Sequence, residues 1–182
     1  MADDVDAQDW LDDAAHTGTS LADALAMFDR LPRVMPEEVI GRWKGAGLPT
    51  GHKLDGLLEA YGWYGKAFAD SENVDPLLFG SPPALTAVDP RWIPLALVDV
   101  PALARSRWAA RAFRLAKPLL RARGPTARLR TITYRGVPSA AMVYDRQPII
   151  DIFRRVSADT LLGLMDMRGQ RPFFFTLRRA PD

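Results

Sequence analysis

The last third of the chain consists of five short runs that follow one another at hairpin spacing. The runs are Ala127–Arg135, Val137–Tyr144, Pro148–Val156, Thr160–Met167 and Pro172–Arg179. Each run is rich in aliphatic or aromatic residues, and the breaks between them are made of glycine, aspartate, serine and other turn-forming residues. Breaks this short join neighbouring antiparallel strands, so the pattern predicts a β-meander.

A glycine-rich stretch from Gly41 to Phe68 predicts further short elements upstream of this meander. Its seven glycines interrupt any long helix or strand, because glycine stabilises neither. We expect a strand over Val39–Gly45, a turn over Leu48–Gly51, a short helical piece over Lys53–Tyr61 and a second strand over Trp63–Ala69.

Five prolines divide the segment from Asp70 to Pro94 into short apolar pieces. Because proline cannot donate a hydrogen bond to a β ladder, these pieces are predicted to be edge strands, or extended loops that form the rim of a pocket. With the other runs they give about seven to nine strands. The predicted fold is therefore mainly β, a β-rich α+β chain whose antiparallel sheet forms a barrel or is strongly curled.

Two helices are predicted beside this sheet. Ser20 is a favourable N-cap for a first helix that Pro32 ends, and we expect this helix to cover an edge or open end of the sheet. The second helix, Leu103–Arg121, has an aromatic and aliphatic side opposite a purely cationic side. That pattern is typical of a helix on an anionic membrane surface, and also of a helix that packs on a barrel with solvated arginines, so both interpretations stay open.

Charge is unevenly distributed along the chain, although the net charge is only +2. Six aspartates lie within the first 13 residues and predict a flexible acidic tail over residues 1–18. Residues 19–182 are expected to form one β-rich domain, with 19–100 and 101–182 as its two halves. In the second half, Arg105 to Arg135 carries ten basic residues and no acidic one.

Two groups of residues resemble a known family. The first group consists of Gly41-Arg42-Trp43-Lys44-Gly45, Thr50-Gly51-His52 and Gly62-Trp63-Tyr64-Gly65-Lys66; the second includes Tyr144-Asp145, Asp151, Phe153-Arg154 and Met165-Asp166. The first group resembles the bacterial GXWXG family, named for its glycine-tryptophan signature. The second is similar to the C-terminal domain of unknown function that usually follows it. The resemblance covers Met27 to Arg179, and it implies a small, β-rich, calycin-like fold that binds a lipid-like ligand.

Residues of these two groups are the candidate ligand-binding site, since a lipid-like ligand needs apolar walls and a few polar groups for its head. The candidates are Trp43, Arg42, His52, Trp63, Lys66, Tyr144, Asp151, Phe153, Arg154 and Asp166. Strand alternation gives each of the last three runs a mostly apolar face that ends in an acid or an arginine, and these faces are predicted to line the cavity. The faces are Ile149, Asp151, Phe153 and Arg155; Thr160, Leu162, Leu164 and Asp166; and Phe173, Phe175, Leu177 and Arg179. The alternative is that the tryptophans fill a core and the charged residues form structural ion pairs.

Motifs of common enzymes and metal sites are absent from the sequence. There is no cysteine and there are only two histidines, which excludes disulfides, thiolate ligands and the usual zinc sites. Phosphate-binding and dinucleotide-binding glycine patterns are also missing, so no catalytic residue, metal or cofactor is predicted. The favoured function is a small binding protein that holds a phospholipid or fatty acid in an apolar cavity, with its anionic head at arginines such as Arg42, Arg130 and Arg154.

Two other functions stay open. An enzyme on the same scaffold would use His52 with Asp55, Asp151 or Asp166 as acid and base. An interaction module would bind polyanions through Arg105–Arg135, but this region lacks the interleaved aromatics of nucleic-acid modules, so no specific nucleic acid is expected. The acidic start has no apolar leader and predicts a cytoplasmic protein. An unpaired edge strand would permit a homodimer.

Overall fold

Antiparallel strands make up most of the structure, a computed structural model that describes residues 2–92 and 106–181, with side chains from Asp6 onward. The helices are α1 (Ala2–Thr17), α2 (Leu21–Arg30), α3 (Pro36–Val39), α4 (Leu57–Ala60) and α5 (Arg107–Ala116), with a 3₁₀ turn at Pro90–Trp92. The strands are β1 (Gly41–Gly47), β2 (Trp63–Phe68), β3 (Val74–Phe79), β4 (Thr86–Ala87), β5 (Ala127–Tyr134), β6 (Val137–Tyr144), β7 (Ile149–Ser157), β8 (Thr160–Met167) and β9 (Phe173–Arg179).

All of these strands except β4 close into a ring. The order around the ring is β1, β2, β3, β5, β6, β7, β8 and β9, and β9 pairs back onto β1. Strand β4 pairs only with the end of β3 among the described strands. The β3–β5 seam is narrow, because in the described part of the chain Val74 and Ala127 are its one ladder pair. The ring confirms the predicted β-rich barrel.

The meander follows its predicted boundaries to within one or two residues. The first hairpin turns at Arg135 and Gly136, which both have positive φ (51° and 79°), as the tightest hairpin turns require. Upstream, β1 begins at Gly41 rather than Val39, because Pro36 starts the short helix α3 and that helix occupies the chain up to Val39.

Strand β3 is not the edge strand that its proline predicted. It pairs with β2 on one side and with β4 and β5 on the other. Pro76 falls where the β2–β3 register shifts, between the pairs Ala67–Asp75 and Gly65–Leu78. The hydrogen-bond ladder is interrupted at this shift, so proline, which has no N–H donor, is tolerated in a strand that is paired on both sides.

The first residues form helix α1, so the predicted flexible tail is wrong. Ala7, Leu11 and Ala14 are buried, and the helix packs beside β7 on the outside of the barrel. These three residues recur at i, i+4 and i+7, which is one face of a helix. The acidic face is also engaged, since Asp12 pairs with Arg178 of β9. The acidic N-terminal segment is therefore a helix with one buried apolar face.

Helices α1 and α2 give the barrel a second hydrophobic layer on its outer face. One core fills the barrel interior, and the other lies between these helices and β7, β8 and β9. Strand β8 is therefore apolar on both faces: Leu161 and Met165 face the interior, whereas Leu162 and Leu164 pack under the helices. The face predicted to line a cavity is the outer one, because alternation cannot separate two apolar faces.

Helix α5 lies on the barrel with little contact. The predicted helix started at Leu103, and residues 103–105 lie outside the described residues. From Arg107 to Ala116 no side chain is buried, and Phe113 provides the aromatic contacts, with Tyr61 and Phe79. None of the described helices combines the length and hydrophobicity that spanning a bilayer requires.

Candidate functional site

A cavity of about 190 Å³ lies between the barrel interior, α4 and α5. Its walls are almost entirely hydrophobic, and leucine, methionine and aromatic side chains predominate. The lining residues are Leu54, Leu57, Leu58, Tyr61, Trp63, Lys66, Leu77, Phe79, Pro90, Trp92, Phe113, Leu120, Tyr144, Gln147, Ile149, Asp151, Met165, Met167, Phe173 and Phe175.

Two of the lining residues, Lys66 and Asp151, form a buried ion pair. Lys66 Nζ lies 2.8 Å from Asp151 Oδ2, and both side chains are at most 3% exposed. The same ammonium donates to the carbonyl oxygen of Pro76 at 3.3 Å. It also lies 5.0 Å from the ring centre of Phe175 and 5.8 Å from that of Tyr144. The cation is thus neutralised by a carboxylate and surrounded by aromatic rings.

Burial raises the pKa values of two acidic groups at this site, the Asp151 carboxyl and the Tyr144 hydroxyl. It raises the pKa of Asp151, while the nearby Lys66 ammonium acts in the opposite direction. Burial, together with the charge of Asp151, raises the pKa of the Tyr144 hydroxyl well above its ordinary value. Tyr144 therefore stays protonated at neutral pH and can donate a hydrogen bond.

Two polar atoms on the lining residues lack a partner. Among the described residues, neither Trp63 Nε1 nor Asp151 Oδ1 has a hydrogen-bond partner of normal geometry. One is a donor and the other an acceptor, and both are buried. An unsatisfied buried polar atom costs about 1–3 kcal/mol, so both favour a ligand that supplies the missing bonds.

Two glycines, Gly45 of the signature stretch and Gly163 of β8, position the aromatic wall of the cavity. The ring of Trp63 lies directly on Gly45, where a Cβ atom would be only 2.1 Å from the ring. Gly163 holds the ring of Phe175 in the same way, with a Cβ distance of 2.3 Å. The two rings then meet edge to face, 6.2 Å apart. Larger residues at either glycine would displace a wall of the cavity.

Four of the residues predicted from sequence reach the cavity: Trp63, Lys66, Tyr144 and Asp151. The predicted faces of β7 and β9 also contribute Ile149, Phe173 and Phe175, whereas the prediction missed the walls from α4, α5 and the interior face of β8. A local signal existed for α4, since Leu57 and Leu58 are adjacent leucines within the glycine-rich stretch. Strands β7, β8 and β9 are joined by consecutive hairpins, but α4 and α5 reach these strands only through the tertiary fold.

Trp43 and Phe153 belong to the core rather than to the cavity wall. Trp43 is fully buried, and its Nε1 donates to the carbonyl oxygen of Val39 at 2.7 Å. The Arg179 guanidinium covers its ring at 4.2 Å. Phe153 packs edge to face against Phe68 deeper in the barrel. Trp43 therefore fills the core, as the alternative interpretation predicted for both tryptophans, whereas Trp63 borders the cavity.

The predicted arginine anchors and Asp166 also lie away from the cavity lining. Arg42 is exposed and donates to the carbonyl oxygen of Pro181. Arg154 is buried beneath α2, where it stacks on Phe28 at 4.6 Å. Arg130 pairs with Glu72 at the surface. The geometry therefore gives the cavity a lysine, not an arginine, as its cation.

His52 is buried beside the cavity, and its ring is bound to backbone groups. Its Nδ1 accepts a hydrogen bond from the backbone N–H of Leu54 at 3.1 Å, and the ring also bonds to the backbone of Arg171. Asp55 Oδ2 accepts from the backbone N–H groups of Thr50 and His52. This arrangement closes a turn. Within the described ranges, no cluster of histidine and acidic residues is arranged to hold a metal ion.

We expect His52 to make stability depend on pH. Burial lowers the pKa of His52 below its usual 6.5, so the unfolded chain binds a proton at pH values where the folded protein does not. The contribution of His52 to the free energy of unfolding is complete above pH 6.5, the pKa in the unfolded chain. It is lost as the pH falls through the lower pKa of the folded protein. Urea unfolding between about pH 8 and pH 5 should therefore show a shallower decline for His52→Gln. His16→Gln controls for loss of a histidine, and an unchanged slope in His52→Gln would contradict the expectation.

Comparison with known proteins identifies both halves of the chain. The GXWXG protein family matches residues 26–82, and the domain of unknown function DUF4334 matches residues 125–179. A crystal structure of a protein from Thermomonospora curvata is 33% identical, over 97% of this chain and 99% of that one, with a TM-score of 0.70. No curated protein matches the chain. The chain therefore belongs to the GXWXG family and carries its C-terminal domain of unknown function.

Proposed function

We propose that this protein binds a lipid-like small molecule in the barrel cavity, with the polar end of the ligand at Lys66 and Asp151. The observation that carries the proposal is a hydrophobic cavity that contains a buried ion pair. A hydrophobic pair of similar volume would often stabilise a barrel equally well or better. Apolar walls with a few convergent polar groups are the usual composition of small-molecule sites.

The volume of the cavity limits the size of the ligand. An engineered apolar cavity of about 150 Å³ in another protein accommodates benzene. A cavity of about 190 Å³ therefore suits one ring system or one short acyl chain. This favours a single-chain ligand over a phospholipid with two acyl chains.

The unsatisfied atoms indicate the chemistry of the polar end. Within the part of the chain that the structure describes, Trp63 Nε1 has no acceptor, and Asp151 Oδ1 has no donor of normal geometry, although the Tyr144 hydroxyl lies close enough to the carboxylate to oppose the rise that burial causes in the pKa of Asp151. A hydroxyl group or a protonated carboxylic acid offers both, whereas an ionised carboxylate would bring a second negative charge near Asp151. We therefore propose a short-chain fatty alcohol or a neutral fatty acid as the ligand class, bound at the Lys66–Asp151 pair rather than at the arginines predicted for an anionic head.

The test is native mass spectrometry of the purified protein, with an organic extract of the same sample and titration with hexanol and hexanoic acid, whose short chains match the cavity volume. Met165→Trp fills the cavity from a half-buried lining position, so its occupancy should fall at least about tenfold. Ile150→Trp is the matched control, because Ile150 is half-buried on the outer face of the neighbouring strand. Its occupancy should equal that of the parent.

Two results would overturn the proposal. The first is a parent protein that carries no ligand and takes up neither added compound. The second is equal loss of occupancy in Met165→Trp and Ile150→Trp, which would show that the cavity is not the binding site. Thermal unfolding of both variants verifies that each remains folded.

A further inference from the structure

Helix α5 and the turn that follows it present large apolar side chains to solvent. Trp108 is 80% exposed, Leu115 is 76% exposed and Leu119 is 85% exposed. Trp108 and Leu115 recur at i and i+7, which places them on one face of the helix, and Leu119 follows in the turn after Ala116. Contiguous exposed apolar groups of this size usually mark a surface for interaction.

Cations flank this apolar face, and the sequence around them contains no acidic residue. Arg107, Arg111 and Arg114 are exposed, and no acidic residue occurs between positions 106 and 125. Within the described ranges, none of the three forms an ion pair. Exposed arginines elsewhere in the structure do pair with carboxylates: Arg30, Arg128, Arg130, Arg135, Arg155 and Arg178. Arg33, Arg146 and Arg168 also form no ion pair within the described ranges, but each lies in a different loop, whereas the three arginines of α5 lie together beside exposed apolar side chains.

The inner side of the helix is held on the barrel by Phe113. Its ring lies 4.9 Å from that of Phe79 and 5.2 Å from that of Tyr61, and these residues border the cavity. The outward face thus contributes nothing to the barrel core. It also lies beside the cavity, so a surface bound to α5 would be close to the lining residue Phe113.

We infer that α5 docks on an anionic membrane surface, with Trp108, Leu115 and Leu119 among the acyl chains and the arginines on lipid phosphates. A helix with one apolar and one cationic side binds in this way, lying in the plane of the interface. A nucleic acid or an acidic protein would neutralise the arginines but leave the three apolar side chains in water. The docking does not depend on what the cavity holds.

Vesicle co-sedimentation tests the inference with the full chain. Binding to phosphatidylglycerol vesicles should be at least about tenfold stronger than binding to phosphatidylcholine vesicles, and should weaken with salt. The triple variant Trp108→Ser/Leu115→Ser/Leu119→Ser should lose about tenfold or more in affinity, as should Arg107→Gln/Arg111→Gln/Arg114→Gln. Both variants change exposed side chains, so the thermal midpoint should stay close to that of the parent.

The matched control is Arg33→Gln/Arg146→Gln/Arg168→Gln, which removes the same charge from exposed positions outside α5. It should retain most of the parent affinity. Equal binding to both lipids, or full binding by the serine variant, would overturn the inference. So would a parent dimer that the serine variant converts to a monomer, because the apolar face would then be covered by a second copy. Met165→Trp should bind vesicles normally even where it has lost its cavity ligand.

Discussion

Replacing Lys66 by methionine is expected to destabilise the protein by about 3–5 kcal/mol, because it leaves Asp151 buried without its counter-charge. The pair is at most 3% exposed, with 2.8 Å between its charged atoms, so solvent does little to compensate. The free energy of unfolding in urea at neutral pH measures the effect. Much of the loss should disappear at about pH 5, where the carboxyl group can be protonated.

The raised pKa of the buried Asp151 carboxyl determines how stability changes with pH. Burial raises the pKa of Asp151, so the folded protein keeps its proton at pH values where the unfolded chain has released it. The resulting stability is complete below the unfolded pKa of about 3.9 and is lost as the pH rises through the folded pKa. Without the lysine the folded pKa rises further, because an opposing charge has been removed.

The control for the ion pair is the double variant Lys66→Met/Asp151→Leu. It removes both charges and preserves much of the volume, so it should be clearly more stable than Lys66→Met alone. Equal destabilisation of the single and double variants would contradict the expected coupling. It would indicate that the lysine side chain stabilises the barrel through packing alone.

Gly65→Ala is expected to lose about 3–5 kcal/mol of unfolding free energy. Gly65 has a φ of +148°, which alanine rarely adopts, and a Cβ atom there would lie 2.0 Å from the Trp43 carbonyl oxygen. That oxygen belongs to the paired backbone of β1, which cannot move without breaking the β1–β2 ladder. Strain and steric overlap therefore act together at this position.

Urea unfolding monitored by tryptophan fluorescence measures this loss. Gly124→Ala is the matched control, because its Cβ would meet nothing within 4 Å and its φ is not positive. That variant should remain within about 0.5 kcal/mol of the parent. A comparable loss in both variants would mean that glycine is needed for chain flexibility rather than for the close approach of β1 and β2.

Local sequence patterns predicted the fold well where the apolar residues of a segment followed one clear periodicity, that of a strand or that of a helix. The meander follows from short apolar runs and turn residues, and its boundaries agree closely with β5 to β9. Helix α1 was missed because acidic composition was given more weight than the recurrence of Ala7, Leu11 and Ala14. In β8 the alternation failed for a different reason, since the helices outside the barrel make both faces apolar.

The candidate site was predicted only in part. Motif residues located Lys66 and Asp151, but their contact joins β2 to β7 across 85 positions of sequence, which no local pattern encodes. Arg154 was predicted to bind the head of the ligand, but the sequence itself argues against this position. Side chains at positions 151 and 154 of one strand point to opposite faces, so both cannot face the cavity. Strand parity therefore excludes Arg154 from a site that contains Asp151.

Strand β1 pairs with β9, so the barrel closes only after the last strand has left the ribosome. At roughly 5–20 residues per second, the interval between completion of these two strands is on the order of ten seconds. Throughout it, one edge of β1 exposes unpaired N–H and C=O groups that can pair with another nascent chain. A message truncated before β9 would leave the edges of both β1 and β8 open. We therefore expect a slow or incomplete translation of this chain to favour pairing between nascent chains over closure of the barrel.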